Sequence, residues 1–177
     1  MAYDFISLDM IRHDGVAKAT GTVEYASDIE LPNMLYGRIL KSPYPHAIVE
    51  KINVEKAVKM GAVVVTPWDV PRTPFNPRLV SIDEVTYKDW EILTNHPRFV
   101  GEYVAAVAAE SEYLAQKALE ALEVSWKPIP FVLDPFEAMK DYAPRLYDRI
   151  MLGSKWVEVE NNIACTYEYV EGDPDKG

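Results

Sequence analysis

Three histidines, His13, His46 and His96, are the first residues to ask about. They stand in His13-Asp14, Pro45-His46 and His96-Pro97, without the HExxH or HxxxH spacing that sets two imidazoles on one helix face. They read as loop or surface histidines. Ser42 and His46 invite a nucleophile–base reading, but Pro43 and Pro45 bracket them and the GxSxG strand-turn-helix elbow is missing. Gly15, Lys18, Thr20 and Gly21 (GVAKATG) hint at a phosphate loop. The GxxxxGK[ST] order is absent and no apolar strand precedes them, so a turn with a polar bridge is expected. Asp173 and Asp175 in GDPDKG lack the twelfth-position Glu of a calcium loop. The carboxylates Asp28 and Glu30, and Glu158 and Glu160, lie in segments with no apolar pocket to shift their pKa, and read as solvated faces. Cys165 is the single cysteine and reads as a small buried hydrophobe. Alone it builds no disulfide, structural zinc site or iron–sulfur cluster. Trp68, Trp90, Trp126 and Trp156 are scattered, as anchors of a core or an interface are. No complete catalytic constellation emerges.

The 177 residues are 49% hydrophobic and 26% charged, the balance of a globular chain that buries a core without disulfide or metal staples. Lys and Arg number 18 against 28 Asp and Glu, a net charge of −10. Such a surface repels phosphate, which argues against nucleic acid and anionic membrane as partners. Met1 to Met10 carries no charged-then-apolar leader pattern, and the longest apolar stretch, Tyr103 to Ala109, is far too short for a bilayer. The expectation is a cytoplasmic protein.

The elements around these residues read as follows. Residues 1–34 are an extended entry with turns at Asp14-Gly15 and Thr20-Gly21. Alternation predicts strands over 35–41 and 47–52, separated by the Ser42-Pro43-Tyr44-Pro45 break. Asn53 caps a short helix over 54–60 that stops at Gly61. Residues 62–66 (AVVVT) suit a buried strand, and 67–77, with four prolines, a stiff surface loop. Residues 78–97 read as irregular, with room for a short strand or two. Residues 98–110 read as a strand, with a buried helix as the competing reading since the periodicity does not separate the two; Gly101, which admits a close backbone approach, argues for the strand. Ser111 caps a helix from 112 to about 122, with Leu114, Ala118 and Leu122 on one stripe and Ala115 and Leu119 widening it. A strand over 123–126 follows, then a brief helix over 136–139 with Asp134 as N-cap and Pro135 first. The rest is a polar tail from about 142 to 177, with strand-like alternation near Cys165, Tyr167 and Tyr169. Strands interrupted by helices fit an α+β fold or an α/β sandwich with helices packed on a sheet, in one domain spanning 1–177.

Six segments, in order, resemble one family. Arg12 to Gly21 (RHDGVAKATG) is similar to the R-x-D-G-x-x-K-x-T-G opening of the large, molybdenum-binding subunit of xanthine oxidase-type hydroxylases. Tyr25-x-x-Asp28 with Leu31 to Gly37 (LPNMLYG), Ser42-Pro43-x-x-His46-Ala47, Val64-Val65-Thr66-x-x-Asp69-Val70-Pro71, Phe99-Val100-Gly101-Glu102-x-Val104-Ala105-Ala106-Val107 and Gly172-Asp173 resemble its further signatures. Asn33 stands where the pattern has Gly, Tyr103 where it has Pro, and Trp126 to Pro130 (WKPIP) where Tyr-Glu-x-Leu-Pro is commoner.

The resemblance implies an α+β fold, the α/β-hammerhead domain with a mixed sheet and helices packed on it, at the N-terminal end of that subunit. It implies a role in an oxidoreductase acting on an aldehyde, carbon monoxide, an N-heterocycle or an aromatic acyl-CoA. In the family the molybdopterin-binding domains and the catalytic glutamate follow this region, so the chain is expected to be a fragment or a split-gene product. It is expected to be inactive alone and to carry no catalytic, cofactor or metal residue. The parent complex would use molybdopterin or molybdopterin cytosine dinucleotide, [2Fe–2S] clusters and FAD. Its partners would be the remainder of the molybdenum subunit, an iron–sulfur subunit and an FAD subunit. Arg12, Asp14, Gly15, Asp28, Ser42, His46, Gly101 and Glu102 are the expected structural or interface residues. Among them Asp14-Gly15 sets a tight turn, Gly101 admits a neighbouring backbone, Glu102 bonds backbone donors, and Ser42 and His46 hydrogen-bond each other across the proline-stiffened loop. These segments are expected to be exposed and to face the partners. The alternative is a stand-alone small-ligand or protein-binding module reusing the fold.

Overall fold

The computed structural model describes residues 12–77, 87–163, 166, 168–172 and 176. The chain divides into two units, one up to Met34 and one from Leu35 onward. In the first unit, the extended entry is corrected to a short helix, α1 (Gly15–Thr20), and a turn of 3₁₀ helix over Ala26–Asp28. Helix α1 ends where Gly21 takes φ +70°, a left-handed conformation that glycine adopts without a Cβ penalty. Thr20 bonds back to the Val16 carbonyl at 2.9 Å, which satisfies a group that a turn would leave to water.

Among the described residues the second unit has eight strands: β1 (Tyr36–Lys41), β2 (Ala47–Asn53), β3 (Val63–Val65), β4 (Tyr87–Lys88), β5 (Tyr103–Ala109), β6 (Glu123–Pro128), β7 (Arg149–Leu152) and β8 (Lys155–Glu158). Helices α2 (Glu55–Lys59), α3 (Glu112–Glu120) and α4 (Pro135–Ala138) complete it. The α+β class holds. The strands form three antiparallel sheets, ordered β1-β5-β3, β2-β6 and β4-β7-β8, rather than one mixed sheet. The physical reason is that α3 carries the chain from β5 to a strand of a different sheet, so no parallel crossover within one sheet is made.

Strand β5 is the centre of the core. Val107 and Ala109 pack with Ala57, Ala62, Ala115 and Ala118, flanked by Tyr36, Val64, Leu114, Leu119 and Leu122. Small side chains on both sides let α3 sit close to the sheet. Ser111 caps α3 by accepting from the Leu114 N–H at 3.2 Å. A second cluster joins Val49 and Ile52 of β2 to Val104 and Ala105.

Several expectations shift. Strand β5 starts at Tyr103, not at residue 98. Residues 98–102 form a turn, in which Gly101 takes φ +97°. A Cβ there would meet nothing within 4 Å, so the backbone angle and not a close neighbour demands glycine. Strand β3 lies at the edge of its sheet and leaves Val63 exposed, so it is not the buried strand expected. The N-cap of α2 is Val54 and not the expected Asn53, whose side chain still accepts from Glu55 N–H at 3.1 Å from one residue earlier. The β7–β8 hairpin lies in what reads as a polar tail. The expected alternation at residues 165 and 167 falls outside the described residues.

Candidate functional site

Four of the six family-like segments share a local device: a side-chain oxygen accepts a nearby backbone N–H. Asp28 accepts from Tyr25 N at 2.9 Å, Ser42 from Tyr44 N at 3.1 Å, Asp69 from Thr66 N at 2.8 Å and Glu102 from Arg98 N at 2.5 Å. Each closes a bend whose amide would otherwise lack a partner. Lys18 and Arg12 both pair with Asp14, and Lys18 first, then Arg12, holds its carboxyl below the usual carboxylate range. Gly15 is the first residue of α1, so the tight turn expected at Asp14-Gly15 is a helix start.

Ser42, His46 and Glu102 are buried, with 2%, 3% and 3% of their surface exposed. The expectation that these segments face outward is corrected for these three side chains. The main chain explains it: Ser42 N–H donates to Glu102 O and Gly101 N–H donates to Ser42 O, both at 2.8 Å, which locks the two family-like segments together. Ser42 and His46 do not bond each other. Ser42 Oγ donates to the Tyr44 carbonyl at 2.9 Å, while His46 turns the other way.

His46 Nδ1 lies 2.8 Å from the Pro130 carbonyl oxygen, and His46 Nε2 lies 3.0 Å from His96 Nε2. The two rings stack at 5.0 Å with 13° between planes. Both histidines lie in bends, as read from the sequence, but not at the surface: His46 is buried and His96 is half-buried. Burial, with Arg98 and then His46 adding to it, pushes His96 down to about 4 against the pull of Asp148.

Arg98 joins the parts. Its Nε donates to Leu146 O at 2.9 Å, one terminal nitrogen donates to His96 O at 3.2 Å, and the guanidinium lies 4.3 Å over the Tyr147 ring. Tyr147 donates to Asp89 O at 3.0 Å, and burial pushes its hydroxyl up to about 12. Burial also raises Glu102, against the lowering effect of the Arg98 amide and charge. Beside this knot is an open cleft of about 260 Å³ lined by His96, Arg98, Arg145, Tyr147, Arg149 and Trp156 among others. His96, Arg98 and Tyr147 carry no motif: their partners are 50, 48 and 58 residues away, a spacing that no sequence pattern marks.

The family description "Aldehyde oxidase and xanthine dehydrogenase, a/b hammerhead domain" fits residues 20–130. The chain belongs to this family. Within it, a probable xanthine dehydrogenase subunit of Bacillus subtilis is 38% identical over 140 residues, 78% of this chain and 18% of that protein. The carbon monoxide dehydrogenase large chain of Afipia carboxidovorans is 31% identical over 143 residues, 78% of this chain and 17% of that protein. The solved structure of reconstituted CO dehydrogenase from Oligotropha carboxidovorans superposes with a TM-score of 0.68 at 29% identity, covering 78% of this chain and 17% of that one. This chain thus spans less than a fifth of the length of these relatives.

The hammerhead family pattern also explains two departures. Asn33 takes φ +62°, and asparagine is the residue that best replaces glycine in the left-handed region. Tyr103 opens β5, the strand position at which proline is tolerated and not required. Relatives such as the Escherichia coli O157:H7 protein are named as molybdenum-binding subunits. In this chain Ser42 Oγ, both ring nitrogens of His46 and one carboxylate oxygen of Glu102 are engaged by the chain's own groups. Among the described residues, no helix is long and apolar enough to cross a membrane.

Proposed function

We propose that this hammerhead domain is an architectural part of a xanthine oxidase-type molybdenum hydroxylase, acting on an aldehyde, carbon monoxide, an N-heterocycle or an aromatic acyl-CoA. The observation that carries this reading is the use of the family-like polar residues. Asp28, Ser42, Asp69 and Glu102 each close a bend of the chain's own backbone. The chemistry, on molybdopterin or its cytosine dinucleotide, [2Fe–2S] and FAD, belongs to the remaining molybdenum region and to iron–sulfur and FAD partners. The reading includes one 1–177 domain, present as a fragment or split-gene product, in the cytoplasm.

A surface suited to those partners is the run from Phe131 to Tyr142. Phe131, Leu133, Phe136, Met139 and Tyr142 are 50%, 80%, 71%, 44% and 79% exposed. Five large apolar groups so close together in sequence are unusual for a surface meant to stay in water. Tagged chain purified from its native source should bring down larger polypeptides carrying molybdenum and iron. A chain that elutes alone, with those metals elsewhere, contradicts the reading.

The cleft favours a second reading, a small-ligand module. Lys88, Arg145 and Arg149 line it, and among the described residues none of the three has an ion-pair partner. A small anion that raises the melting temperature of the isolated chain and loses that effect in Arg145→Ala supports this alternative.

A further inference from the structure

The histidine pair joins three separate stretches. His46 O accepts from Ile129 N at 3.1 Å, its Nδ1 meets Pro130 O at 2.8 Å, and the next residue, Ala47, donates its N–H to Pro97 O at 3.0 Å. The pair therefore binds residues 46–47, 96–97 and 129–130 into one junction, and Pro130 immediately precedes the exposed apolar run.

The protons in this junction can be placed. A carbonyl has no hydrogen to give, so His46 Nδ1 carries one and donates it to Pro130. In the neutral ring, His46 Nε2 is then a lone pair, and the hydrogen between the rings belongs to His96 Nε2. One added proton is tolerated, because His96 can take it on Nδ1 and keep its Nε2–H donor. A second proton is not. It would set an N–H on His46 against the N–H of His96 across 3.0 Å, between two cationic rings stacked at 5.0 Å.

We propose that His46 and His96 form a proton-operated latch: closed, it fixes the root of the 131–142 run, and it opens as both imidazoles take up protons. The surrounding charges determine how it responds. On the His96 side, Arg98 opposes protonation and Asp148 favours it. Across the cleft stand Lys88, Arg145 and Arg149 against Asp89 and Glu91, with Glu102 behind Arg98 on its amide. On His96 burial acts most strongly, Arg98 and then the ring–ring contact with His46 add to it, and Asp148 is the weakest, opposing influence. Rings released into water take up protons as pH falls through the ordinary histidine range, whereas in the closed pair a second proton meets the N–H clash across 3.0 Å. Acid therefore drives opening with up to two protons per event. That the run docks against a partner rests on the reading above. The latch is tested on the chain alone, so the two fail separately.

The test is amide hydrogen exchange at Ala47 and Ile129 between pH 6.5 and 4.5, corrected for intrinsic rates, with Ala106 and Val107 as core controls. Protection at the junction should fall by more than about tenfold per pH unit, approaching about a hundredfold for two protons, while the core stays protected. His96→Gln keeps an N–H donor and removes one titrating ring, so its slope should drop to about tenfold or less. Nitrogen-15 spectra of the wild-type rings at pH 7 give an independent reading should the variant not fold. They should show hydrogen on Nδ1 of His46 and Nε2 of His96. Equal slopes in wild type and variant, or the reverse tautomer on His46, would overturn the proposal.

Discussion

Two interiors hold the second unit together, and they are built on different principles. Around β5 and α3 the contacts are alanine against valine, with nothing to pair and little room to spare. Around His46, Arg98 and Glu102 the interior is polar, and every contact is directional. The apolar interior tolerates small losses in proportion to the atoms removed. The polar one fails in steps, because removing one partner strands another in a place where water does not readily replace it. A domain that must present a defined outer surface gains register from the second kind, since only one arrangement satisfies all its groups.

Substitutions can break or sharpen this contrast. The largest effect is expected for His46→Ala, which leaves a cavity and strands the Pro130 carbonyl, at about 3 kcal/mol in urea melts. Val107→Ala, in the apolar interior, should cost about 2 kcal/mol and leave the junction amides protected. A larger loss for Val107→Ala than for His46→Ala would reverse the ranking of the two regions.

Next comes pH. His96 is lowered in the folded chain to about 4 from 6.5, so the unfolded chain binds more protons between these values and stability falls as pH drops through them. Discounted for the partial exposure of His96, the loss is about 1–2 kcal/mol. Glu102 acts in the opposite sense. Its carboxyl is raised by burial, so acid relieves its penalty as pH falls toward 4.5. Glu102→Gln keeps an acceptor for Arg98 N–H and removes that relief, so its acid loss should be steeper than the wild-type one in melts from pH 7 to 4.5. A shallower profile would show that Glu102 does not counterbalance the histidines.

Smaller effects remain at the edges. Ser111→Ala removes the cap of α3 and should cost about 1 kcal/mol in the same melts. Lys56→Ala breaks an ion pair with Glu123 between two exposed side chains and should leave the melting temperature unchanged.

The same contrast explains what could be read from the sequence. The α3 stripe, its Ser111 cap, the Asp134-Pro135 helix start and strands β1, β2 and β6 follow local rules of period, capping and propensity, and each is visible within a dozen residues. The junction obeys no local rule: His46 finds Pro130 and His96 only through the pairing of β2 with β6 and the return of residues 94–98. Two local signals were nevertheless present. Gly153-Ser154 between Arg149–Leu152 and Lys155–Glu158 is a two-residue hairpin turn, hidden by the polar composition around it. Gly21 is a helix stop, and α1 is simply short. Resemblance supplied the family, but it marked Ser42 and His46 as exposed because a motif shows which residues recur and not which way they turn.

The most direct test of the architectural reading is to isolate the native assembly, separate its polypeptides without losing bound metal, and measure molybdenum in each. Molybdenum should travel wholly with another polypeptide, while this chain stays folded and metal-free and rebinds when the parts are mixed. Stoichiometric molybdenum retained by the 177-residue chain itself would contradict the account.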